Sequence, residues 1–451
     1  MLDLITLLLL VAGIVLVTAR WKISPFLALL AAAFLGAFAF RLPVEEIIPT
    51  ITTSFGNTMG GIGLVILFGT MIGVILERSG GAIAMADRII KVLGTRFPTL
   101  TMSIIGYIVS IPVFCDSGFV ILNSLKKAIA MRTGTSLVAM SIALMTGLYA
   151  THTLVPPTPG PLAAASNLEV ADSLGLLIGL GLVVAAVSAA VALLYANRFL
   201  KREVELLPVS EGEVEQSYDE LRASYGKLPN GFLAFLPILL PIVLICLSSI
   251  AKLPMLPFGE GGFAQTVIFL GTPVVALGLG LIVAILLLRG HGKLASFNGQ
   301  IVDSITIAAP ILMITAAGAA FGGVLGASSI TDFLSENLAT LGLGIAVPFI
   351  ISAALKTAQG SSTVAMVTTS AMLLPILPSL GLDSPTGAVL SVLAIGAGAM
   401  VVSHANDSYF WVVSQFSRIP TATAYRTLTP ATGLQGLAAF ATVWVLSLFL
   451  L

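Results

Sequence analysis

Two apolar stretches, residues 97–130 and 344–375, limit what this chain can fold into. Each is longer than one membrane crossing needs, and each is broken at its centre by small and polar residues, FCDSGF in the first and AQGSST in the second. A spanning helix takes roughly 20 mostly apolar residues. Backbone that turns within a bilayer is tolerated only where protein or water surrounds it. Both stretches therefore read as re-entrant hairpins, which dip into the membrane and return to the side they came from.

Further apolar runs predict about ten crossings, near 2–19, 24–41, 60–78, 135–156, 172–199, 232–252, 265–289, 304–327, 385–402 and 430–451. Charged residues make up 9% of the chain, far below the roughly 25% of a soluble domain. The chain is thus expected to be an all-α polytopic membrane protein. Its first run lacks a basic lead-in, and Arg20 and Lys22 follow it, the pattern of a retained helix rather than a cleaved signal. Net charge is zero, so no bulk field favours nucleic acid. The two cysteines, Cys115 and Cys246, sit in apolar surroundings and predict neither a disulfide framework nor a metal site.

Charge fixes the expected sidedness. If neither hairpin crosses, eighteen of the 21 basic residues fall on one side; only Arg41 and Lys252 lie opposite, and Lys356 is the one base placed inside an apolar segment. Basic loops face the cytoplasm, so both termini are expected outside. The Glu-rich segment 200–230 is then a cytoplasmic linker between a first repeat (1–199, hairpin 97–130) and a second (231–451, hairpin 344–375). LERSGGAIAMADRI (76–89) is echoed by LGASSITDFLSENL (325–338), each followed by a hairpin and then by an apolar helix with a polar break. The first half has five crossings, so the second enters upside down. Paired inverted repeats with broken helices at the midplane mark secondary transporters.

Four polar breaks supply the candidate site. At the first tip, Asp116, Ser117 and Gly118 lie in an apolar stretch where an acid at a helix centre costs at least about 2.5–3.5 kcal/mol. The second arm is expected to start near Ser117, giving free N–H groups that favour an anion; the plainer reading makes Asp116 an N-cap. At the second tip, Gln359, Gly360, Ser361, Ser362 and Thr363 offer hydroxyls and another helix N-terminus, or simply close packing. Lys356, just before it, either snorkels outward or neutralises a carboxylate. Thr151, His152 and Thr153 precede a proline break that cannot continue a helix. His404, Asn406 and Asp407 form the mirror break, with the plainer reading that Asp407 or Ser408 caps the next helix.

At GFVIL (118–122), THTLVPPTPGP (151–161), GSSTVA (360–365) and SHANDSYFW (403–411) the chain resembles the gluconate permease (gluconate:proton symporter) family of the ion-transporter superfamily. The resemblance covers essentially the whole chain. It implies proton-driven uptake of gluconate or related hydroxy-carboxylates across a bacterial inner membrane, and usually a homodimer; some relatives carry D-serine. Thr158 stands where gluconate-associated members often have a second His, the Cys-Asp-Ser-Gly tip replaces a bulkier pair before the Gly, and Lys356 matches a position more often Arg. These departures leave the substrate open.

The expected activity is symport, not enzymatic catalysis, with no cofactor or bound metal. Two helix N-termini attract a small anionic substrate at the midplane, hydroxyls read its own hydroxyls, and Asp116, His152 or Asp407 carries the proton, Asp116 being the first choice. Sodium coupling is the alternative within the class, because unwound carbonyls with Ser, Thr and Asn suit a cation. An intramembrane hydrolase would pair Asp116 with Asp407, or Ser361 with His404; no motif frames either pair. A channel is the other distant alternative, though two hairpins gating opposite sides suit alternating access better.

Overall fold

A computed structural model of the chain describes residues 2–19, 21, 23–201, 206–207, 218–252, 257–290, 297–328, 344–404 and 407–451. Residues 202–205 and 208–217 of the linker, the last ten residues of the echo motif (329–338), Asn406, and Arg20, Lys22, Arg202 and Lys293 of the charge count lie outside the described residues, as does the side chain of Gln359. Among the described residues every regular element is helical and no strand occurs.

In the first half, α1 (Leu2–Ala19) and α2 (Pro25–Ala39) lead into α3 (Val44–Ser79), α4 (Gly81–Leu93), α5 (Pro98–Val109) and α6 (Cys115–Thr133). These are followed by α7 (Leu137–Leu154), α8 (Pro159–Asn167) and α9 (Leu174–Ala196). The linker contributes α10 (Tyr218–Ser224). The second half comprises α11 (Leu236–Ala251), α12 (Gly262–Leu270), α13 (Pro273–Gly290), α14 (Phe297–Gly326), α15 (Ala346–Gln359), α16 (Ser362–Leu373), α17 (Pro385–Gly398), α18 (Ser408–Phe416) and α19 (Thr421–Leu450). In both halves a long helix, α3 or α14, precedes a two-armed stretch, α5–α6 or α15–α16. A broken helix, α7–α8 or α17–α18, and a last long helix follow.

Among the described residues five helical spans are individually long and apolar enough to cross a bilayer, or up to seven when the bent pairs are counted. The bends are 43° within α3 and 66° between α12 and α13. Helix α3 carries the expected crossing at 60–78 in its part beyond the bend, Gly63–Ser79, and extends back to Val44, where Glu45 and Glu46 stabilise its first turn.

The breaks have local causes. Ser110–Phe114 connects α5 to α6, and Pro112 in it has no N–H to give a helix. Gly360 takes φ +83 between α15 and α16, a left-handed conformation open to glycine without a Cβ penalty. Val155–Thr158 separates α7 from α8, with the Pro156–Pro157 bond cis. Small residues then bring broken backbone close to neighbouring helices: a Cβ on Gly396 of α17 would run into the Thr153 carbonyl, and one on Gly73 of α3 into the Pro112 carbonyl.

Two sequence expectations are corrected here. Helix α6 starts at Cys115, so Asp116 lies inside the first turn and does not cap it; the N-cap is Phe114, which makes no side-chain cap bond. Lys126 was counted among the water-facing charges, with Lys356 the one buried base. It is instead fully buried. Its ammonium donates to Ser417 Oγ at 2.7 Å and lies 4.6 Å from the Phe119 ring centre, because α18 packs over that face of α6.

Candidate functional site

The two tips and the two breaks converge. Lys356, in the last turn of α15, extends its ammonium to Asp407 Oδ2 at 2.6 Å, and both side chains are almost wholly removed from solvent. The same ammonium donates to the Gly360 carbonyl at 2.5 Å, folding back over the tip. It lies 5.8 Å from the centre of the Tyr149 ring. Lys356 therefore points inward and does not snorkel.

Asp407 has two jobs in one residue. It is the N-cap of α18, where Oδ1 accepts from the Tyr409 N–H at 3.0 Å. Its other oxygen accepts from Ser403 Oγ at 2.5 Å as well as from Lys356. Such charge-assisted bonds are what a buried carboxylate needs to offset lost hydration.

Asp116 faces this group from the first tip. It accepts from Ser408 Oγ at 3.3 Å, a bond that joins the two halves, and the Cys115 thiol lies 3.6 Å from its other oxygen. It is within electrostatic range of both Asp407 and Lys356. Ser117 accompanies it, hydrogen-bonded to Glu77 from α3, and Gly118 is buried under Leu148.

His152 is buried in the last turn of α7, within electrostatic range of Lys356 and Asp407. Its ring sits 5.9 Å from that of Phe114, and its Nδ1 has no hydrogen-bond partner. Thr151 and Thr153 turn away from the centre, donating to the carbonyls of Tyr107 at 2.8 Å and Tyr149 at 3.1 Å. Ser361 caps α16, accepting from the Val364 N–H at 3.3 Å. Ser362 meets Tyr149. Thr363 lies half-buried beside Gly160 at the start of α8. His404 is spent on the Thr357 carbonyl at 2.9 Å.

Tyr149 and Tyr409 are site residues that sequence reading passed over. Their rings pack 5.2 Å apart beneath the ion pair, and their hydroxyls donate to the Ala399 and Met145 carbonyls. Tyr149 sits in an apolar run where a tyrosine reads as core, and Tyr409 lies in the quoted SHANDSYFW motif, where the polar residues before it drew the reading. Glu77, Ser403 and Ser408 were also missed; Ser403 and Ser408 lie inside the quoted SHANDS motif and could have been taken from it.

Away from this centre, a cavity of about 320 Å³ opens at the far ends of α8 and α16. Ser54, Asn57, Thr58, Asn167 and Glu169 line it, beside glycines of α14. Asn167 fixes its amide nitrogen to Val367 and Ser370, leaving its buried oxygen without a partner.

The signature of the GntP permease family matches residues 2–449. This chain belongs to that family. It is 32% identical to the gluconate permease of Pseudomonas aeruginosa over 447 residues, spanning 98% of this chain and 96% of that one. It is also 32% identical to the D-serine transporter DsdX of Escherichia coli, over 98% of this chain and 97% of that one. Among solved structures it shares its fold with the YdaH transporter of Alcanivorax borkumensis, at TM-score 0.69, 15% identity and coverage of 95% and 99%. The GntP chain is therefore a multi-pass membrane permease, and its family is one of transporters rather than enzymes.

Proposed function

We propose that this permease couples inward movement of a small hydroxy-carboxylate, gluconate or a close relative, to inward movement of protons across the bacterial inner membrane. The observation that carries the reading is the Lys356–Asp407 pair. One buried ammonium is already neutralised by one buried carboxylate. A substrate carboxylate can claim that ammonium only if Asp407 gives it up, and protonation of Asp407 is the simplest way to release it. Proton and anion then enter together, and neither buried charge is left uncompensated.

Asp407 thus takes the role of first carrier, ahead of Asp116, because Asp407 alone contacts the base directly. Asp116 serves as the second, sharing the field of the same ammonium across the Ser408 bridge. The free Nδ1 of His152 and the hydroxyls of Ser361, Ser362 and Thr363 read substrate hydroxyls. The two inverted halves, hinged at these tips, provide alternating access. The gluconate permease at 32% identity supports this substrate class.

A second reading is favoured by Asp116, which has hydroxyl and thiol partners and no ion-pair partner among the described residues. Such a carboxylate suits the ammonium of an amino acid, as the D-serine relative would require.

Reconstituted liposomes decide between the readings. Gluconate, glycerate, 2-ketogluconate and D-serine are offered with a pH gradient, a sodium gradient or neither. Concentrative uptake of a hydroxy-acid under the pH gradient alone supports the proposal. Sodium-driven uptake, or uptake of D-serine alone, replaces it.

A further inference from the structure

A separate cavity of about 410 Å³ lies between α4 and the segment 222–232 that leads from the linker into the second half. Its volume is in the range of small-molecule sites, and it shares no residue with the Lys356 centre. Asp87, Arg88, Lys91 and Arg222 line it with Asn230 and Phe232.

The charges in it are unevenly committed. Asp87 accepts from the Tyr218 phenol and lies 3.6 Å from Arg222. Burial, and the Asp87 carboxylate it bonds, push the Tyr218 phenol up, so that partner stays protonated at any ordinary pH. The one acid in the cavity is thus occupied by its own neighbours. Arg88 is not: its guanidinium lies 4.5 Å over the Phe232 ring, and its Nε is buried without a hydrogen-bond partner. Stacking of this kind holds the planar fork in one orientation without using its donors. Lys91, one turn further along α4, has no ion-pair partner among the described residues.

The segment that carries the cavity wall is held against α4 nearby. Gly80 joins α3 to α4 at φ +81, and Leu228 and Tyr225 cover it so closely that a Cβ there would come within 2.6 Å of Leu228. The Asn230 side chain accepts from the Phe232 N–H at 2.9 Å and fixes the turn into α11. A stacked arginine, a neighbouring lysine and a pinned loop around a cavity form a receptor for a planar or tetrahedral oxyanion.

We propose that this cavity binds a phosphate-bearing anion, held by Arg88 and Lys91 and shared between α4 and the linker. Basic pockets at the membrane boundary take lipid headgroups, and a soluble phosphate ester presents the same oxygens.

The test uses the full-length protein purified in a non-ionic detergent. One arm titrates inorganic phosphate and glycerol 3-phosphate; the other titrates a short-chain phosphatidylglycerol kept below micelle formation. Binding is read by thermophoresis. Saturation in the first arm assigns a soluble phosphate, and saturation in the second alone assigns a lipid headgroup. In whichever arm saturates, Arg88→Gln and Lys91→Gln each weaken binding about tenfold, the size expected for one lost charge-assisted contact. Arg78→Gln, whose guanidinium bridges Asp303 at 2.7 Å, leaves it unchanged. Lys91 is exposed, so its variant keeps the fold and decides the matter if Arg88→Gln does not express. No saturation in either arm, or affinity untouched by Lys91→Gln, overturns the proposal.

Discussion

Lys356 Nζ and Asp407 Oδ2 lie 2.6 Å apart with both side chains buried, one from the second hairpin and the other from the break that follows it. Taking both charges out of water costs several kcal/mol each, and their attraction repays this only while both are present. Lys356→Met or Asp407→Asn alone should therefore destabilise the protein by about 3–5 kcal/mol. The double variant Lys356→Met/Asp407→Asn, whose amide oxygen can still cap α18, should regain most of that loss while transporting nothing. Thermal unfolding in detergent and uptake into liposomes, run on all four proteins, test this. If the double variant is as unstable as the sum of the singles, the pair is not a unit.

Lys126 offers the opposite case. Its ammonium is as buried as that of Lys356, but its partners are a serine hydroxyl and a phenyl ring rather than a carboxylate. Replacing a buried charge by an apolar chain of similar shape is often neutral or stabilising by about 1–4 kcal/mol. Lys126→Met should thus unfold at the same temperature as the parent or higher. A drop comparable to that of Lys356→Met would mean an anionic partner that the described residues do not include.

The contrast between these two lysines explains what sequence could and could not say. Both hairpins and both polar breaks were legible because turns inside apolar stretches need small, polar or proline residues, which stand out against leucine and valine. Burial of a particular charge was not legible. Lys126 sits in a run beside Lys127 that reads as a loop edge, and only the packing of α18 onto α6 buries it. Lys356 kept two readings open because the direction of a long side chain depends on its surroundings. For Asp116 the plainer reading, an N-cap, fails by one position, because helix starts are uncertain by a residue or two. Tyr149 gave no signal, since an aromatic in a membrane helix is ordinary, and Tyr409 stood in a quoted motif without being assigned a role.

His152 Nδ1 is buried and unpaired, which costs about 1–3 kcal/mol unless something fills the need. If substrate does so, removing the ring harms binding more than folding. His152→Gln, which keeps an amide near the same position, should hold its unfolding temperature within a few degrees. It should raise the KM for uptake by roughly tenfold, the cost of one hydrogen bond to a charged or hydroxylated ligand. A variant with lower stability and an unchanged KM would make His152 a packing residue.

Gly73 tests whether the first hairpin must sit against α3. A Cβ there would collide with the Pro112 carbonyl in the turn before α6, whereas one on Gly56, in the same helix, meets nothing. Backbone cannot yield as a flexible side chain does, so Gly73→Ala should displace the turn and cost about 1–3 kcal/mol. Gly56→Ala should be neutral or stabilising by about 0.4–1 kcal/mol through the unfolded chain alone. Because Pro112 lies four residues before Asp116, uptake should fall in Gly73→Ala beyond what its lost stability explains, measured per folded molecule in liposomes. Equal behaviour of the two variants would show that the hairpin accommodates the methyl group, and that its tip is not held in place by α3.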